Sequence, residues 1–126
     1  MAEENKKILI IDDDPGIRKV IKLQVKTLKR DLLEASNRAE ALILLKQENV
    51  AAIICDIKLK EEYGFDLVRE FRILYPELPI IMLTGFIEQE FYDAASAMGC
   101  LDMLIKPVRK EKLVEALEKA FQCSRR

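Results

Sequence analysis

The sequence has no histidine and no tryptophan, and only three cysteines and four glycines among its 126 residues. Without histidine, Ser-His-Asp and Cys-His hydrolases are excluded, and three cysteines without a CxxC spacing do not favour a zinc site. The longest apolar runs, such as residues 50–55, hold about six residues, whereas a membrane-spanning helix needs roughly 20. The acidic, polar start is not typical of a signal peptide. These absences favour a reduced, cytoplasmic protein.

Positive charge is not in excess either. The chain has 21 Lys and Arg residues against 22 Asp and Glu residues, which gives a net charge of −1. A general nucleic-acid-binding domain would be more basic, so we expect no direct contact with nucleic acid and none with membranes. Half of the residues are hydrophobic and 34% are charged, a composition typical of folded globular proteins. We therefore expect one domain over residues 1–126.

Short apolar runs alternate with helical patterns along the whole chain. The runs predict five strands, at residues 8–11, 32–33, 50–55, 80–83 and 103–105. Apolar residues at helical spacing follow each run, and helix-start signals precede some of these patterns, as at Asp14-Pro15 and Asn37 with Glu40. Strands that are apolar throughout are typical of a parallel sheet covered by helices on both faces. The sequence therefore predicts an α/β fold of five strand–helix units.

Polar residues follow four of these strands at the point where each strand ends. They are Asp12-Asp13-Asp14, Asp56, Thr84-Gly85 and Lys106-Pro107. The carboxyl ends of parallel strands meet at one edge of the sheet, where open α/β sheets bind ligands. Carboxylates held close together repel one another unless a cation neutralises them, and Mg²⁺ suits a site with few carboxylates and several waters. Carboxylates, Mg²⁺, a hydroxyl and a lysine together indicate phosphoryl transfer.

These motifs resemble those of the receiver domains of two-component response regulators, including the single-domain chemotaxis regulator, and the resemblance covers the whole chain. The motifs are Ile10-Ile11-Asp12-Asp13-Asp14, Cys55-Asp56-Ile57-Lys58 with Gly64 eight residues after the aspartate, Met82-Leu83-Thr84-Gly85, and Lys106-Pro107. Each motif is short, but all four in order, each at a strand end, are specific. The resemblance implies a flavodoxin-like, five-stranded parallel sheet of order 2-1-3-4-5 with helices on both faces.

The resemblance also implies which residues take part in phosphorylation. Asp56 would be the phosphoacceptor, and the phosphoryl group would come from a histidine kinase or a histidine phosphotransfer protein. Asp12, Asp13, Asp56 and the backbone carbonyl of Lys58 would hold Mg²⁺, with Asp12 acting mainly through a metal-bound water.

A second set of residues would bind the phosphoryl group and switch with it. By resemblance, the Thr84 hydroxyl and the Lys106 ammonium would contact phosphoryl oxygens, and Pro107 would fix the loop that carries the lysine. Three positions depart from the family pattern, and two of them belong to this second set. Met103 stands where an aromatic residue is common, and it can fill the same space without a ring hydroxyl. Gly85 replaces a common alanine and allows close approach of the backbone to the phosphoryl group.

Two further residues are predicted to set the lifetime of the phosphorylated state. By resemblance, Lys58 and Phe86 flank the path of the water that hydrolyses an aspartyl-phosphate. Neither side chain offers a carboxylate or an amide to orient that water, and the phenyl ring is bulky enough to shield the phosphoryl group. We therefore predict slow dephosphorylation. The alternative is that both side chains point to solvent and leave the rate unchanged.

The leading interpretation is a phosphorylation-switched signalling domain that changes its partner binding and is not a turnover enzyme. A pseudo-receiver, which would act as a protein-interaction module without phosphorylation, is the alternative. A phosphohydrolase is a weaker interpretation, because Lys58 stands where such an enzyme would carry a second aspartate. The chain is either a stand-alone regulator or the receiver of a longer protein, and no motif names its downstream effector.

Basic residues also recur at helical spacing after Pro15. They are Arg18, Lys22, Lys26 and Lys29. A solvated helix face is the default interpretation of this stripe. Docking against an acidic helix of a partner is the functional alternative, and DNA binding is a weaker one because the overall charge is balanced.

Overall fold

A computed structural model describes residues 6–59, 63–85 and 89–123, with the side chains of residues 89–92 and 123 outside that description. The strands are β1 (Lys7–Ile11), β2 (Leu32–Ala35), β3 (Val50–Asp56), β4 (Ile80–Thr84) and β5 (Asp102–Ile105). The helices are α1 (Pro15–Gln24), α2 (Arg38–Gln47), α3 (Gly64–Leu74), α4 (Gln89–Ala97) and α5 (Lys110–Cys123). Strands and helices alternate along the chain, which confirms the predicted strand–helix units.

The strands form one parallel sheet in the order β2-β1-β3-β4-β5, as the resemblance implied. In the register of this sheet, Ile11 pairs with Ala35 on one side and with Cys55 on the other. Asp56 pairs with Leu83. This register brings the carboxyl ends of the strands to one edge, which we call the carboxyl edge; the opposite end of the sheet is the amino edge.

Both faces of the sheet are covered, because neighbouring strand residues point to opposite faces. Leu9, Cys55 and Met82 are fully buried on one face, in a cluster with apolar residues of α2, α3 and α4. Ile8 and Ile54 are fully buried on the other face, against α1 and α5. The prediction that the apolar runs form a two-sided core is therefore confirmed. Within the described ranges, each helix is too short or too polar to cross a bilayer.

Helix α1 begins where the sequence predicted and ends earlier. The side chain of Asp14 accepts a hydrogen bond from the Gly16 amide at 2.8 Å, and Pro15 is the first helical residue, which confirms the predicted cap. After Gln24 the chain tightens into a 3-10 turn, Lys26–Leu28, and Lys29 adopts a left-handed conformation with φ 55°. The predicted basic stripe is therefore wrong as a single helical face, because its last two members lie beyond α1.

Helix α2 has half of the predicted capping box. Asn37 accepts a hydrogen bond from the Glu40 amide at 2.9 Å, as predicted. The Glu40 carboxylate, however, accepts from the amide and the hydroxyl of Ser36, at 2.7 and 2.8 Å. The Ser36 amide and, to a smaller extent, its hydroxyl lower the pKa of Glu40. The Glu40 carboxylate therefore binds the amide of Ser36, one residue before the Asn37 amide that the capping-box motif predicts.

Candidate functional site

Three carboxylates converge at the carboxyl edge. Asp12 directly follows β1 and is fully buried, Asp56 is the last residue of β3 and is 7% exposed, and Asp13 is half-buried. One carboxylate oxygen from each residue lies within 4.8 Å of the other two. The structure therefore brings together the three acidic residues that the sequence predicted, with Asp56 inside its strand rather than after it.

One ammonium group joins two of these carboxylates. The Nζ of Lys106 lies 2.9 Å from Oδ2 of Asp56 and 3.1 Å from Oδ2 of Asp12. Lys106 directly follows β5, and its amide donates to the carbonyl of Thr84 at 2.7 Å. The next peptide bond, between Lys106 and Pro107, is cis. The loop after β5 is thus tied to the end of β4, and its lysine points at Asp56.

The remaining oxygens of the two buried aspartates accept hydrogen bonds from nearby donors. Oδ1 of Asp12 accepts from the Asp14 amide at 2.9 Å, and Oδ1 of Asp56 accepts from the Lys58 amide at 3.3 Å. The carbonyl of Asp12 accepts from the guanidinium of Arg18 at 2.6 Å. Arg18 is a contact that the sequence did not predict, because its spacing placed it in the basic stripe.

Burial and charge act in opposite directions on Asp56. Burial raises the pKa of Asp56, the bond from Lys106 lowers it, and the neighbouring Asp12 raises it again, so that the pKa lies above its ordinary value. Burial lowers the pKa of Lys106, but the bonds to Asp56 and Asp12 outweigh this and raise it. The Lys106 ammonium therefore stays charged, and its single positive charge does not neutralise all of the carboxylate charge beside it.

The predicted switch residues lie on neighbouring strands. Thr84 is the last residue of β4 and is 4% exposed. Met103 of β5 is 5% exposed, pairs with Met82 in the sheet register and belongs to the same buried cluster as Ala95 of α4. Because Met82 and Thr84 are two residues apart on one strand, Met103 and Thr84 lie on the same face of the sheet. Gly85 is exposed, and a Cβ added there would meet nothing within 4 Å.

Helix α3 packs directly against the backbone of Asp56 because Gly64 has no side chain. The Gly64 amide donates to the carbonyl of Ile57 at 2.6 Å. A Cβ at Gly64 would lie 2.1 Å from the carbonyl oxygen of Asp56 and 2.8 Å from Cα of Ile57. The sequence offered only the spacing of this glycine from Asp56, and the structure gives the steric reason for it.

The two residues predicted to set the phosphoryl lifetime differ in what the structure describes. Lys58 has an exposed side chain two residues after Asp56, and its backbone forms an isolated bridge with Tyr63. Phe86 lies outside the described residues. The lifetime therefore stays a prediction.

The donor set of the carboxyl edge fits a hard divalent cation. Among the described side chains, the three carboxylates pair with one ammonium, that of Lys106, which contacts Asp12 and Asp56. Negative charge is therefore in excess, and every side chain in the acidic group offers oxygen. Mg²⁺ prefers oxygen ligands and keeps several of its waters, which suits a group with one half-buried, water-accessible aspartate. Receiver domains generally bind Mg²⁺ at an acidic group of this kind.

Comparisons with known proteins agree with this geometry. The response regulator receiver domain family matches residues 8–118. The transcriptional regulatory protein GlrR of Escherichia coli K12 is 32% identical over 124 residues, and the response regulator protein PilR of Pseudomonas aeruginosa is 32% identical over 116 residues. The alignments cover 98% and 92% of this chain but 28% and 26% of the two relatives. The chain thus spans about a quarter of their length.

Solved structures give the same result over nearly the whole chain. A response regulator receiver domain protein from Clostridium thermocellum superposes with a TM-score of 0.85 at 30% identity, covering 93% of this chain and 94% of its own. The chemotaxis response regulator CheY4 of Vibrio cholerae superposes with a TM-score of 0.81 at 27% identity, covering 91% and 98%. From its sequence match, fold and acidic group, the chain belongs to the family of response regulator receiver domains of two-component systems.

Proposed function

We propose that this receiver domain accepts a phosphoryl group on Asp56 and that phosphorylation changes its binding to a downstream partner. Receiver domains receive the phosphoryl group from histidine kinases, and a histidine phosphotransfer protein would present the same phosphohistidine. The observation that carries the proposal is the buried Asp56, which shares Lys106 with Asp12 and lies beside Asp13. The domain is a phosphoacceptor and not a turnover enzyme.

The transfer follows from the position of these side chains. A carboxylate oxygen of Asp56 attacks the phosphorus in line, and the bond from phosphorus to the donor imidazole nitrogen breaks with its electron pair on the imidazole. The Lys106 ammonium, already 2.9 Å from Asp56, donates to a phosphoryl oxygen. The Thr84 hydroxyl donates to another. Because the Lys106 ammonium is held beside Asp56 before the reaction, it needs little reorganisation when charge moves onto the phosphoryl oxygens.

A divalent cation has a defined place in this proposal. Asp12, Asp13, Asp56 and the backbone carbonyl of Lys58 would hold Mg²⁺, with Asp12 acting mainly through a water. When bound, the ion supplies positive charge to the acidic group and to a phosphoryl oxygen. The excess of carboxylates over ammonium supports this assignment. The residues themselves orient the carboxylate nucleophile and exclude bulk water from Asp56.

The signal would be transmitted through the residues beside Thr84. A Thr84 hydroxyl that turns toward the phosphoryl group leaves space on the sheet face that it shares with Met103. Met103 is buried in the cluster that includes Ala95 of α4, so a change in its rotamer alters packing against α4. The exposed Gly85 leaves room for the backbone to move, and Pro107 orients the Lys106 loop.

The pseudo-receiver alternative finds no support in this site. A protein-interaction module without phosphorylation has no need of the full set formed by Asp12, Asp13, Asp56, Thr84 and Lys106. The phosphorylated state is proposed to be long-lived, with Lys58 and Phe86 near the path of the hydrolytic water. The cytoplasmic location and the absence of nucleic-acid binding by this domain stay predictions from the composition.

The test is intact-mass spectrometry of the protein after incubation with Mg²⁺ and acetyl phosphate. The parent is expected to gain one phosphoryl group, and chelation of Mg²⁺ to prevent the gain. Asp56→Asn is expected to abolish it, because the amide keeps the shape but loses the nucleophile. The matched control is Asp66→Asn, an exposed aspartate in the first turn of α3, which is expected to label as the parent does. Labelling of Asp56→Asn at the parental level would overturn the assignment.

A further inference from the structure

Arg18 is directed toward the acidic group and away from solvent. Its side chain is 17% exposed, its Nη1 donates to the carbonyl of Asp12 at 2.6 Å, and its Nε donates to Oε1 of Glu34 at 3.0 Å. Glu34 lies on β2, the strand at the outer side of β1. The guanidinium therefore connects α1, an edge strand and the turn that carries two of the three carboxylates.

The contact falls on the peptide unit that joins Asp12 to Asp13. Each other polar atom of Asp12 also has a partner: its amide donates to Ala35 at 3.0 Å, and its two carboxylate oxygens accept from Asp14 and Lys106. Because the carbonyl that Arg18 holds belongs to the same peptide plane as the Asp13 amide, the guanidinium fixes the backbone from which both carboxylates project. Without Arg18, this carbonyl loses its charged donor.

The positive charge of Arg18 would weaken the binding of a divalent cation, whereas its hydrogen bonds would strengthen it. A guanidinium close to the acidic group would repel a divalent ion if it were unpaired. Glu34 supplies a compensating negative charge, so the pair contributes little net field and its remaining effect is geometric. Removing the guanidinium therefore has opposite consequences under the two roles. Loss of repulsion would strengthen cation binding, whereas loss of positioning would weaken it.

We propose that Arg18, held in place by Glu34, is a positioning residue that sets the Asp12–Asp13 turn for divalent cation binding. The inference rests on the proposed function, because it takes Mg²⁺ as the cation of that site. Partners that orient metal ligands typically change metal affinity by about 10- to 100-fold when they are removed. Arg18 contacts the backbone of Asp12, and Asp12 would act mainly through a metal-bound water. We therefore expect an effect at the lower end of that range.

The test compares Mg²⁺ titrations followed by amide chemical shifts in the parent, Arg18→Gln and Glu34→Gln. We expect Arg18→Gln to weaken Mg²⁺ binding about tenfold. We expect Glu34→Gln to weaken it less, and with a stronger salt dependence, because the guanidinium charge is then uncompensated. The matched control is Arg38→Gln, which removes an Arg–Glu pair between α2 and α3 that includes none of the three aspartates. Its affinity is expected to equal that of the parent.

Two further measurements separate positioning from damage to the fold. In Mg²⁺-free protein, the Asp14 amide, which donates to Asp12, should exchange its hydrogen faster in Arg18→Gln than in the parent. With acetyl phosphate, the Mg²⁺ concentration for half-maximal labelling should rise while the rate at saturating Mg²⁺ stays within about twofold. Arg18→Lys keeps the charge but not the fork of donors. It should bind Mg²⁺ as weakly as Arg18→Gln does, and it is the variant to use if Arg18→Gln fails to fold.

The outcomes distinguish this inference from the function on which it rests. If the parent binds no Mg²⁺ and is not labelled, the proposed function fails and the inference fails with it. If the parent binds Mg²⁺ and is labelled but Arg18→Gln binds the ion equally or more tightly, only the positioning role is overturned. Parental affinity in Arg18→Lys would likewise overturn it in favour of a simple charge effect.

Discussion

At the carboxyl edge of the sheet carboxylates outnumber cations, whereas at the amino edge arginines donate to backbone carbonyls. At the first edge, Asp12 and Asp56 share the ammonium of Lys106, and Asp13 adds a third carboxylate beside them. At the second, the guanidinium of Arg72 donates to four carbonyls, at 2.8 to 3.3 Å, in the turns after α3 and α4. The carbonyls are those of Pro76, Leu78, Met98 and Gly99.

The difference follows from the direction of the helices. Each helix starts near the carboxyl edge and ends near the amino edge, so its dipole favours anions at the first edge and cations at the second. At the amino edge, the Arg72 guanidinium satisfies carbonyls in the turns that follow α3 and α4, and this stabilises the fold. At the carboxyl edge, the excess of buried carboxylates costs stability that a bound cation can recover. Opposite ends of one architecture thus serve stability and reactivity.

The largest expected effect comes from a single added carbon at the carboxyl edge. Gly64→Ala places a Cβ 2.1 Å from the carbonyl of Asp56, so the backbone of the phosphoacceptor must move. We expect the free energy of unfolding to fall by about 3 kcal/mol and the labelling rate to fall with it. Gly85→Ala is the control for stability and should change it by less than about 0.5 kcal/mol, since its Cβ meets nothing within 4 Å. Equal stability of the two variants in urea would contradict the steric argument.

The second prediction concerns the amino edge, where we expect loss of stability without loss of reactivity. Arg72→Ala removes the donor from four carbonyls and should lower the free energy of unfolding by about 2 kcal/mol. Labelling by acetyl phosphate should persist under conditions where the variant is folded. Arg69→Ala, one turn earlier on α3, removes only an exposed pair with Asp66 and should cost less than about 0.5 kcal/mol. A labelling defect in folded Arg72→Ala would contradict the inference that this arginine contributes to stability and not to reactivity.

The third prediction concerns how far the buried Asp56 carboxylate lowers the stability of the folded protein. Because the pKa of Asp56 is raised in the folded protein, folding favours its protonated form, and this stabilising contribution is lost as the pH rises through that pKa. In Mg²⁺-free buffer, Asp56→Asn should therefore be more stable than the parent at pH 7. The pH-dependent part of this difference should shrink as the pH falls through the raised pKa and be gone below about pH 4. Urea unfolding at both pH values measures this. A less stable Asp56→Asn at pH 7 would mean that the Lys106 pair outweighs burial.

The smallest expected effect is on the lifetime of the phosphorylated state. Lys58→Asn offers an amide that can orient a hydrolytic water near Asp56, so phosphoryl loss should be several-fold faster, about 1 kcal/mol in the barrier. Phe86→Ala should act in the same direction by opening the path. Decay is followed by intact mass after removal of acetyl phosphate, with the exposed α5 variant Lys119→Asn as control. Unchanged rates in both variants would place the determinant of the lifetime elsewhere.

Much of the architecture could be predicted because its signals are local. Apolar runs, the Asp14-Pro15 start of α1 and the polar residues at strand ends are read from neighbouring positions, and the structure confirms each. The order of the strands came from the resemblance, since local patterns do not specify which strands pair. The length of α1 was predicted poorly, because apolar spacing continues through Leu28 while the backbone tightens into a 3-10 turn.

The sequence by itself determined the strand–helix alternation and the residues that reach the carboxyl edge, because periodicity and strand ends are properties of consecutive residues. Only the tertiary structure decided their contacts. Lys106 meets Asp56 and Asp12 across 50 and 94 residues of chain, and Arg18 meets Glu34 across 16. From charge and spacing alone, Arg18 belongs to a solvent-exposed stripe of basic residues. Its place beside Asp12 depends on how α1 packs against β1 and β2, and that packing is set by the whole core.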